Sequence, residues 1–254
     1  MALSSEYPTV RAARLAAAEH PETTPAAPAP APVQLPFHDR HEAGRILAEE
    51  IRRRGYSPAS VDQIVLALPR GGVPVAYEIA KALDAPLDVF LVRKLGLPEQ
   101  PELAMGAIAS GGVRVLNPEV VGALRIPRHI IDAVADDELQ EMQRREREYR
   151  DDRPSADLNN KIVFVVDDGL ATGSTMRAAA TALRLLNPKK IVLAAPVAAA
   201  ETVDALRGVA DDIVVAAIPD PFRAVGLWYE DFSQTTDDEV RELLARSFRE
   251  QPPA

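Results

Sequence analysis

Residues 161–186 read KIVFVVDDGLATGSTMRAAATALRLL, and the interpretation of the whole chain starts from this stretch. It opens with five apolar residues, 162–166, without polar alternation, which is typical of a strand buried on both faces of a parallel sheet. Asp167 and Asp168 follow where the strand should end. A short loop rich in glycine, serine and threonine comes next, and from Thr175 the apolar residues have helical spacing. The stretch therefore predicts a strand, a tight loop and a helix.

A loop of this composition before a helix is a common phosphate-binding arrangement. The first backbone N–H groups of a helix have no partner within the helix, and the helix dipole favours an anion there. Gly173 would let the backbone approach the ligand, while Thr172, Ser174 and Thr175 offer hydroxyl donors. The preceding carboxylates could accept hydrogen bonds from two sugar hydroxyls or hold a hydrated Mg²⁺. A ribose 5-phosphate would satisfy both halves; a receiver-type acidic pocket and a plain strand–turn–helix are the alternatives.

The string DDGLATGST, residues 167–175, resembles the ribose-phosphate signature of the type I phosphoribosyltransferases. The resemblance implies that the chain binds phosphoribosyl pyrophosphate and transfers its ribose 5-phosphate group to a nucleobase-like acceptor, with Mg²⁺ as cofactor. It also implies that the two aspartates hold the metal, directly or through water. The substrate-binding residues predicted from this string are Asp167, Asp168, Gly169, Ala171, Thr172, Gly173, Ser174 and Thr175.

A second strand–glycine–helix unit lies about 100 residues earlier in the chain. Residues 64–68 read as a buried strand that stops at the tetrapeptide PRGG, 69–72, and a helix is predicted over about 73–83. PRGG resembles the family's pyrophosphate loop, in which glycines let the backbone wrap a diphosphate and the arginine supplies charge. An isolated RGG is usually a plain turn, but its place at the end of a buried strand favours the loop. The predicted binding residues here are Arg70, Gly71 and Gly72.

A third predicted strand, 87–92, ends at Arg93 and Lys94. Ligands of open α/β sheets bind at the carboxyl ends of the strands, so Arg93 is a predicted binding residue, and a solvated strand end is the alternative. Further on, Ser110-Gly111-Gly112 is a good hairpin turn between two short apolar runs. The resemblance implies that residues of about 95–116 form a mobile lid over the reaction centre. The plausible working residues of the lid are Glu99, Glu102 and Arg114, and the predicted catalytic residues are Lys94, Glu102 and Arg114, with Glu102 as general base.

An aromatic-rich segment, about 218–236, resembles the hood that closes on the nucleobase in this family. The pattern IPD-x-F-x-x-VG is similar to the hood of the 6-oxopurine members and implies that Phe222 stacks on the base. An aromatic mini-core is the alternative for Trp228 and Tyr229. Two departures concern the acceptor: Ala171 replaces an acidic residue of those members, and their purine-reading lysine has no counterpart here. At Ala171-Thr172 the loop is more similar to the adenine branch, so the base stays open.

Further strands predicted at 190–195 and 212–218 alternate with helices, which indicates right-handed crossovers and a doubly wound, mostly parallel α/β sheet. A long helix is predicted over 127–150. Its charged end, QRREREYRDDR, is most simply a solvated face with local ion pairs, and a nucleic-acid arm is the alternative. The predicted domain covers 37–254, and the alanine- and proline-rich residues 1–36 are expected to be a disordered tail and linker.

Composition limits the classes of partner. The chain has 29 basic and 38 acidic residues and a net charge of −9, which disfavours a nucleic-acid or anionic membrane surface. It has no cysteine and no apolar run near the roughly 20 residues that span a bilayer. We expect a cytoplasmic protein that forms a homodimer or higher homo-oligomer. A non-catalytic sensor of phosphoribosyl pyrophosphate or nucleotides is the alternative function, and hydrolysis or phosphorolysis of a nucleotide at the same site is a third.

Overall fold

The computed structural model describes residues 33–58, 62–151 and 153–250, with no side-chain placement for Pro101. Within these residues the α-helices are α1 (Arg40–Arg53), α2 (Gly72–Leu83), α3 (Pro118–Ala123), α4 (Arg128–Arg150), α5 (Ser174–Arg184), α6 (Ala200–Leu206) and α7 (Asp237–Glu250). The strands are β1 (Gln63–Ala67), β2 (Leu87–Val89), β3 (Val92–Leu97), β4 (Gln100–Ala109), β5 (Val113–Leu116), β6 (Ile162–Val166), β7 (Lys190–Val197) and β8 (Asp212–Ala217).

Five strands form a parallel sheet in the order β2–β1–β6–β7–β8. Its central strands, β1 and β6, are almost wholly buried, as their apolar sequences predict. Along β1, Val65 and Ala67 face the apolar cluster formed with α1, α2, α4 and α7. Ile64 and Leu66 face the opposite cluster, which is formed with α5 and α6. Helices therefore cover both faces, and the predicted doubly wound α/β class is confirmed.

The other three strands form an antiparallel sheet, β3–β4–β5, which we call the lid sheet (92–116). The predicted strand over 87–92 is wrong in its extent, because β2 stops at Val89 and the chain then leaves the parallel sheet. The Leu91 N–H donates to Ser110 Oγ at 2.8 Å, and the Ser110 N–H donates to the Leu91 carbonyl at 2.9 Å. These bonds direct the chain into the second sheet. Arg93 and Lys94 consequently lie inside β3 and do not end a parallel strand.

The lid sheet lies between two helices. Arg93 and Arg114 occupy one row across its strands, and Lys94, Ala107 and Val115 occupy the next row. Successive side chains of a strand point to opposite faces. The first row bonds to acidic residues of α4, and the second borders a cavity against α5. The predicted hairpin is thus the β4–β5 turn of a larger, packed unit.

The three helices predicted over about 73–83, from Thr175 and over 127–150 begin within one residue of their predicted starts. The Asp39 carboxylate caps α1 by accepting a 2.7 Å hydrogen bond from the Glu42 N–H, as expected for an aspartate before an apolar stripe. Helix α3 was not predicted. Its signal is Asn117-Pro118, in which asparagine caps the helix and proline occupies its first position. At six residues, α3 is too short to show helical periodicity.

The predicted tail lies largely outside the described residues, which begin at Val33. Val33 and Leu35 pack against a cluster formed by Phe37, Ala43 and Tyr229 among others. The domain boundaries stay a prediction. Every helix in the described part of the chain is too short or too polar to cross a lipid bilayer.

Candidate functional site

The paired aspartates lie directly after β6, at the carboxyl end of the parallel sheet. The Asp168 N–H donates to Asp167 Oδ1 at 2.9 Å, which holds the two residues in one tight turn. Asp168 Oδ2 also accepts a 2.8 Å bond from Nε of Arg40, whose side chain is 9% exposed. Sequence analysis missed Arg40, because 128 residues separate it from Asp168 and no motif connects them.

Burial acts strongly on both carboxylates. Desolvation is the main cause that raises the pKa of Asp167 well above its ordinary value, and the neighbouring Asp168 charge adds to it. Desolvation also raises the pKa of Asp168, against the opposing effect of the Arg40 guanidinium. Two acids in a crowded, partly desolvated place are poorly compensated by the protein alone. A hydroxyl donor or a cation from a ligand would stabilise their charged forms.

The predicted phosphate loop has the backbone that its sequence requires. Gly173 has φ +66° and ψ 9°, a left-handed conformation that favours glycine, and it immediately precedes α5. A Cβ at this position would lie 2.6 Å from Thr202 Cγ2. The Thr202 hydroxyl bonds to the Ala171 carbonyl and braces the loop from α6. Thr172 Oγ1 and Ser174 Oγ are 3.2 Å apart, so two hydroxyls lie side by side at the start of a helix.

The PRGG loop packs directly against the aspartates. A Cβ on Gly71 would lie 2.0 Å from Asp168 Oδ2, and a Cβ on Gly72 would lie 2.6 Å from the Val166 carbonyl oxygen. Only glycine permits these approaches, because real Cβ contacts do not come below about 3 Å. Two loops that are about 100 residues apart in the chain therefore pack side by side at the carboxyl end of the sheet.

A cavity of about 290 Å³ adjoins this junction, and we call it the cationic cavity. Four arginines and two acidic residues line it, so its lining is positive although the chain is strongly negative. Thr175 of the phosphate loop and Pro69 of the PRGG loop also border it. The charged members of its lining are Arg70, Arg93, Arg144, Arg145, Glu148 and Asp237.

Two of these arginines were missed as site residues. Arg144 and Arg145 belong to the charged end of α4, which the sequence indicated as a solvated face. Both do form the local ion pairs expected there, with Glu141 and, for Arg144, also with Glu148. They line the cavity only because α4 packs beside the PRGG loop. On the opposite side, Arg70 lies 3.5 Å from Asp237 of α7.

The three predicted catalytic residues are not brought together with the aspartates. Lys94 pairs with Glu102 at 3.3 Å, and Glu102 is fully exposed. Lys94 borders a second cavity of about 380 Å³ between the lid sheet and α5, which also contacts Ser174 and Thr175. Arg114 donates to Asp132 and Asp136 of α4 at 2.9 and 2.7 Å and lines neither cavity. Catalytic roles for these residues stay predictions.

The segment 218–236 covers the other side of the aspartates. Tyr229 donates its hydroxyl to the Asp168 carbonyl at 2.6 Å, and burial raises the pKa of this phenol. Val225 packs so closely on Gly169 that a Cβ there would lie 2.4 Å from its Cγ1. Phe222 stands beside Trp228, with ring centroids 6.2 Å apart, and stacking of a base on Phe222 stays a prediction. Trp228 Nε1 is buried and lacks a hydrogen-bond partner among the described residues.

Within the described residues no cluster of three or more acidic, histidine or cysteine side chains is suited to a metal ion. Asp167 and Asp168 supply carboxylate oxygens, the ligand type that Mg²⁺ prefers. Mg²⁺ is usually bound by one or two carboxylates together with substrate phosphates, so a pair of this kind fits the ion when a phosphorylated substrate completes its coordination.

Comparison with known proteins gives consistent matches. A family model described as "Phosphoribosyl transferase domain" matches residues 38–223. A Mycobacterium tuberculosis H37Rv protein named "Putative phosphoribosyl transferase Rv0571c" is 48% identical over 214 residues, which are 84% of this chain. The chain spans about half, 47%, of that relative's length. The crystal structure of TT1426 from Thermus thermophilus is 39% identical, has a TM-score of 0.73 and covers 83% of this chain and 98% of its own.

Proposed function

Because the chain belongs to the phosphoribosyl transferase family, we propose that it transfers ribose 5-phosphate from phosphoribosyl pyrophosphate to a nitrogen of a nucleobase-like acceptor. The observation that carries the proposal is the contact of the PRGG loop with the aspartates through Gly71 and Asp168. It joins a diphosphate-type loop, a pair of sugar-binding acids and a phosphate-type loop into one site. Phosphoribosyl pyrophosphate carries its phosphates at the two ends of a ribose and matches that order.

Each part of the donor has a proposed place. The 5-phosphate accepts bonds from the start of α5 and from the hydroxyls of Thr172, Ser174 and Thr175. The ribose hydroxyls donate to the Asp167 and Asp168 carboxylates. The pyrophosphate lies on the PRGG backbone and extends into the cationic cavity, where four arginines attract it.

The reaction then needs separation of charge at C1 of the ribose. The bond from C1 to the pyrophosphate oxygen breaks, and its electron pair leaves with pyrophosphate. The acceptor nitrogen forms the new bond to C1, and its proton passes to a base, for which Glu102 is the predicted residue. As in other glycosyl transfers, the transition state resembles an oxocarbenium ion. The arginines of the cavity stabilise the negative charge that develops on the leaving group.

Mg²⁺ is the proposed cofactor, held by Asp167 and Asp168, directly or through water. It would neutralise charge on the pyrophosphate. The two aspartates are the donors that fit it, and a bound cation would offset the unfavourable burial of their charges.

The acceptor is proposed to be a planar heterocycle that stacks on Phe222. The Trp228 ring beside Phe222, with ring centroids 6.2 Å apart, supports this as a second aromatic surface in the same segment. Since Ala171 replaces an acidic residue and the purine-reading lysine is absent, we expect weak turnover of hypoxanthine and guanine and favour adenine or another heterocycle. A homo-oligomeric state and a cytoplasmic location stay predictions.

The test is to incubate the protein with phosphoribosyl pyrophosphate, Mg²⁺ and a panel of purines, pyrimidines and related heterocycles, and to follow pyrophosphate release. At least one base should accelerate release, and Phe222→Ala should raise its KM about five- to 150-fold, the value of a lost base–aromatic stack. Tight binding of phosphoribosyl pyrophosphate without release for any base would instead indicate the non-catalytic sensor.

The test variant and its matched control each change two consecutive aspartates. Asp167→Asn with Asp168→Asn should weaken binding of phosphoribosyl pyrophosphate at least about a hundredfold, because two charge-assisted hydrogen bonds are lost. Asp211 and Asp212 lie just before or at the start of β8, at the opposite end of the parallel sheet. Asp211→Asn with Asp212→Asn should leave binding unchanged. Equal affinity of the first double variant and the unmodified protein, measured by calorimetry, would refute the proposed site.

A further inference from the structure

We propose that Arg40 is a positioning residue that fixes the Asp168 carboxylate for sugar binding and ties the hood segment to it. This inference rests on the proposed function, because it concerns the residue that orients one of its sugar-binding acids. Arg40 is the first residue of α1, outside every motif that predicted the site.

The contacts of Arg40 point in two directions. Its Nε donates to Asp168 Oδ2 at 2.8 Å, and its Nη1 donates to the Ser233 carbonyl at 2.8 Å. The guanidinium also lies 4.0 Å from the centre of the Phe232 ring. One planar group therefore connects the acid of the sugar site with two residues of the hood segment. A buried arginine is uncommon, and here both Nε and Nη1 have a hydrogen-bond partner.

These contacts orient the Asp168 carboxylate in the proposed arrangement. Its Oδ2 accepts the Arg40 hydrogen bond and would lie 2.0 Å from a Cβ on Gly71, whereas Oδ1 would lie 3.3 Å from that Cβ and is not the acceptor of the Arg40 bond. In the proposed arrangement, Oδ1 is the atom that accepts the sugar hydroxyl. Without Arg40 the carboxylate would be buried beside Asp167 with no cation to compensate it, and rotation away from Gly71 would remove Oδ1 from the sugar.

Lysine cannot reproduce this arrangement. An ammonium group is a compact charge without the planar fork, so it can approach Asp168 or the Ser233 carbonyl but does not hold both in fixed directions. Arg40→Lys therefore keeps the charge and removes the geometry. The Arg40→Lys variant therefore distinguishes a role in orienting the Asp168 carboxylate from a role in compensating its charge.

The chain contains a matched control. Arg150 and Asp88 form a second buried pair with the same Nε–Oδ distance of 2.8 Å, and the side chains of both arginines are 9% exposed. This pair joins α4 to β2 and touches none of the proposed substrate-binding residues in the contacts of the described chain. Arg150→Lys measures the cost of weakening a buried ion pair as such.

The experiment titrates ribose 5-phosphate and inorganic pyrophosphate separately into the full chain by calorimetry in buffer that contains Mg²⁺, the proposed cofactor. We expect Arg40→Lys to weaken ribose 5-phosphate binding at least tenfold and to leave pyrophosphate binding within twofold. Arg150→Lys should leave both affinities unchanged while lowering the melting temperature. If Arg40→Lys does not fold, Phe232→Leu provides the test, because it removes the ring beneath the guanidinium at a partly exposed position and should weaken ribose 5-phosphate binding a few-fold.

Other outcomes would overturn the inference. Unchanged ribose 5-phosphate binding in a folded Arg40→Lys protein, or in Phe232→Leu when the first variant does not fold, would refute a positioning role. Equal loss of both ligands in Arg40→Lys would assign Arg40 to general stability. If the unmodified protein binds neither ligand, the proposed function fails first, and this result is distinct from the other two.

Discussion

Gly71→Ala is the sharpest single change that the structure offers at the site. Gly71 has φ −58° and ψ −32°, which alanine adopts without strain. The new Cβ, however, would lie 2.0 Å from Asp168 Oδ2 and 2.7 Å from its Cγ. The methyl group and the carboxylate cannot occupy these positions together. The Asp168 side chain must therefore move, and it loses its present bond to Arg40 or its place at the site.

The size of the effect follows from these contacts. Overpacking of a well-packed position costs about 1–3 kcal/mol. For a domain of this size, each kcal/mol lowers the melting temperature by about 2–4 °C, so a fall of about 2–12 °C is expected. A displaced carboxylate also loses a charge-assisted bond to the sugar, worth about 1.5–3 kcal/mol, which corresponds to about ten- to 150-fold in affinity.

The assay pairs thermal unfolding with calorimetric titration of phosphoribosyl pyrophosphate and Mg²⁺. Gly122→Ala is the control, since a Cβ on Gly122 in α3 meets no atom within 4 Å. It should keep full affinity and gain slightly in stability, because alanine is the better helix former. Unchanged affinity of a folded Gly71→Ala protein would refute the claim that the PRGG loop and the aspartates form one ligand site.

The remaining predictions concern the lid sheet and α1. Arg114→Ala should cost at most about 1 kcal/mol in the free energy of unfolding, since its ion pairs with α4 are partly exposed. Its kcat tests the catalytic role predicted for Arg114: a fall beyond tenfold would support that role, and an unchanged kcat would contradict it. The hydrogen bond with Glu78 raises the pKa of His41 above 6.5. Protonated His41 therefore contributes its full stabilisation of the fold below about pH 6, and this contribution is lost as the pH rises through the folded-state pKa. Chemical denaturation should show that His41→Gln loses stability at about pH 5.5 and not at about pH 8.5, and an equal loss at both values would contradict this.

Much of the local structure could be predicted from the sequence. None of residues 162–166 is polar, so neither face of a strand formed by them suits contact with water. The run therefore predicts a strand buried on both faces, and β6 confirms this. Gly173 before the helical spacing predicts a loop and a helix start, and the structure has a left-handed glycine followed by α5. A few consecutive residues determine these features, so they can be predicted from a short stretch of sequence.

The ends of strands that depend on residues distant in the chain were harder to predict from the sequence. Nothing local shows that the strand beginning at Leu87 stops at Val89, because the bonds that redirect the chain come from Ser110. The same holds for Arg144 and Arg145, whose sequence indicates surface ion pairs. They do form such pairs, and only the packing of α4 places them at the cationic cavity as well.

The sequence by itself determined the class of fold, the two glycine loops and the pair of acids, because hydrophobic period and backbone freedom are local properties. The tertiary structure alone decided which groups meet: Gly71 against Asp168, and Arg40 between Asp168 and the hood segment. Parallel strands bring the ends of distant segments to one edge of the sheet. Once those ends are buried together, a charge such as that of Asp168 must be paired, and the partner is whichever cation the packing brings within reach.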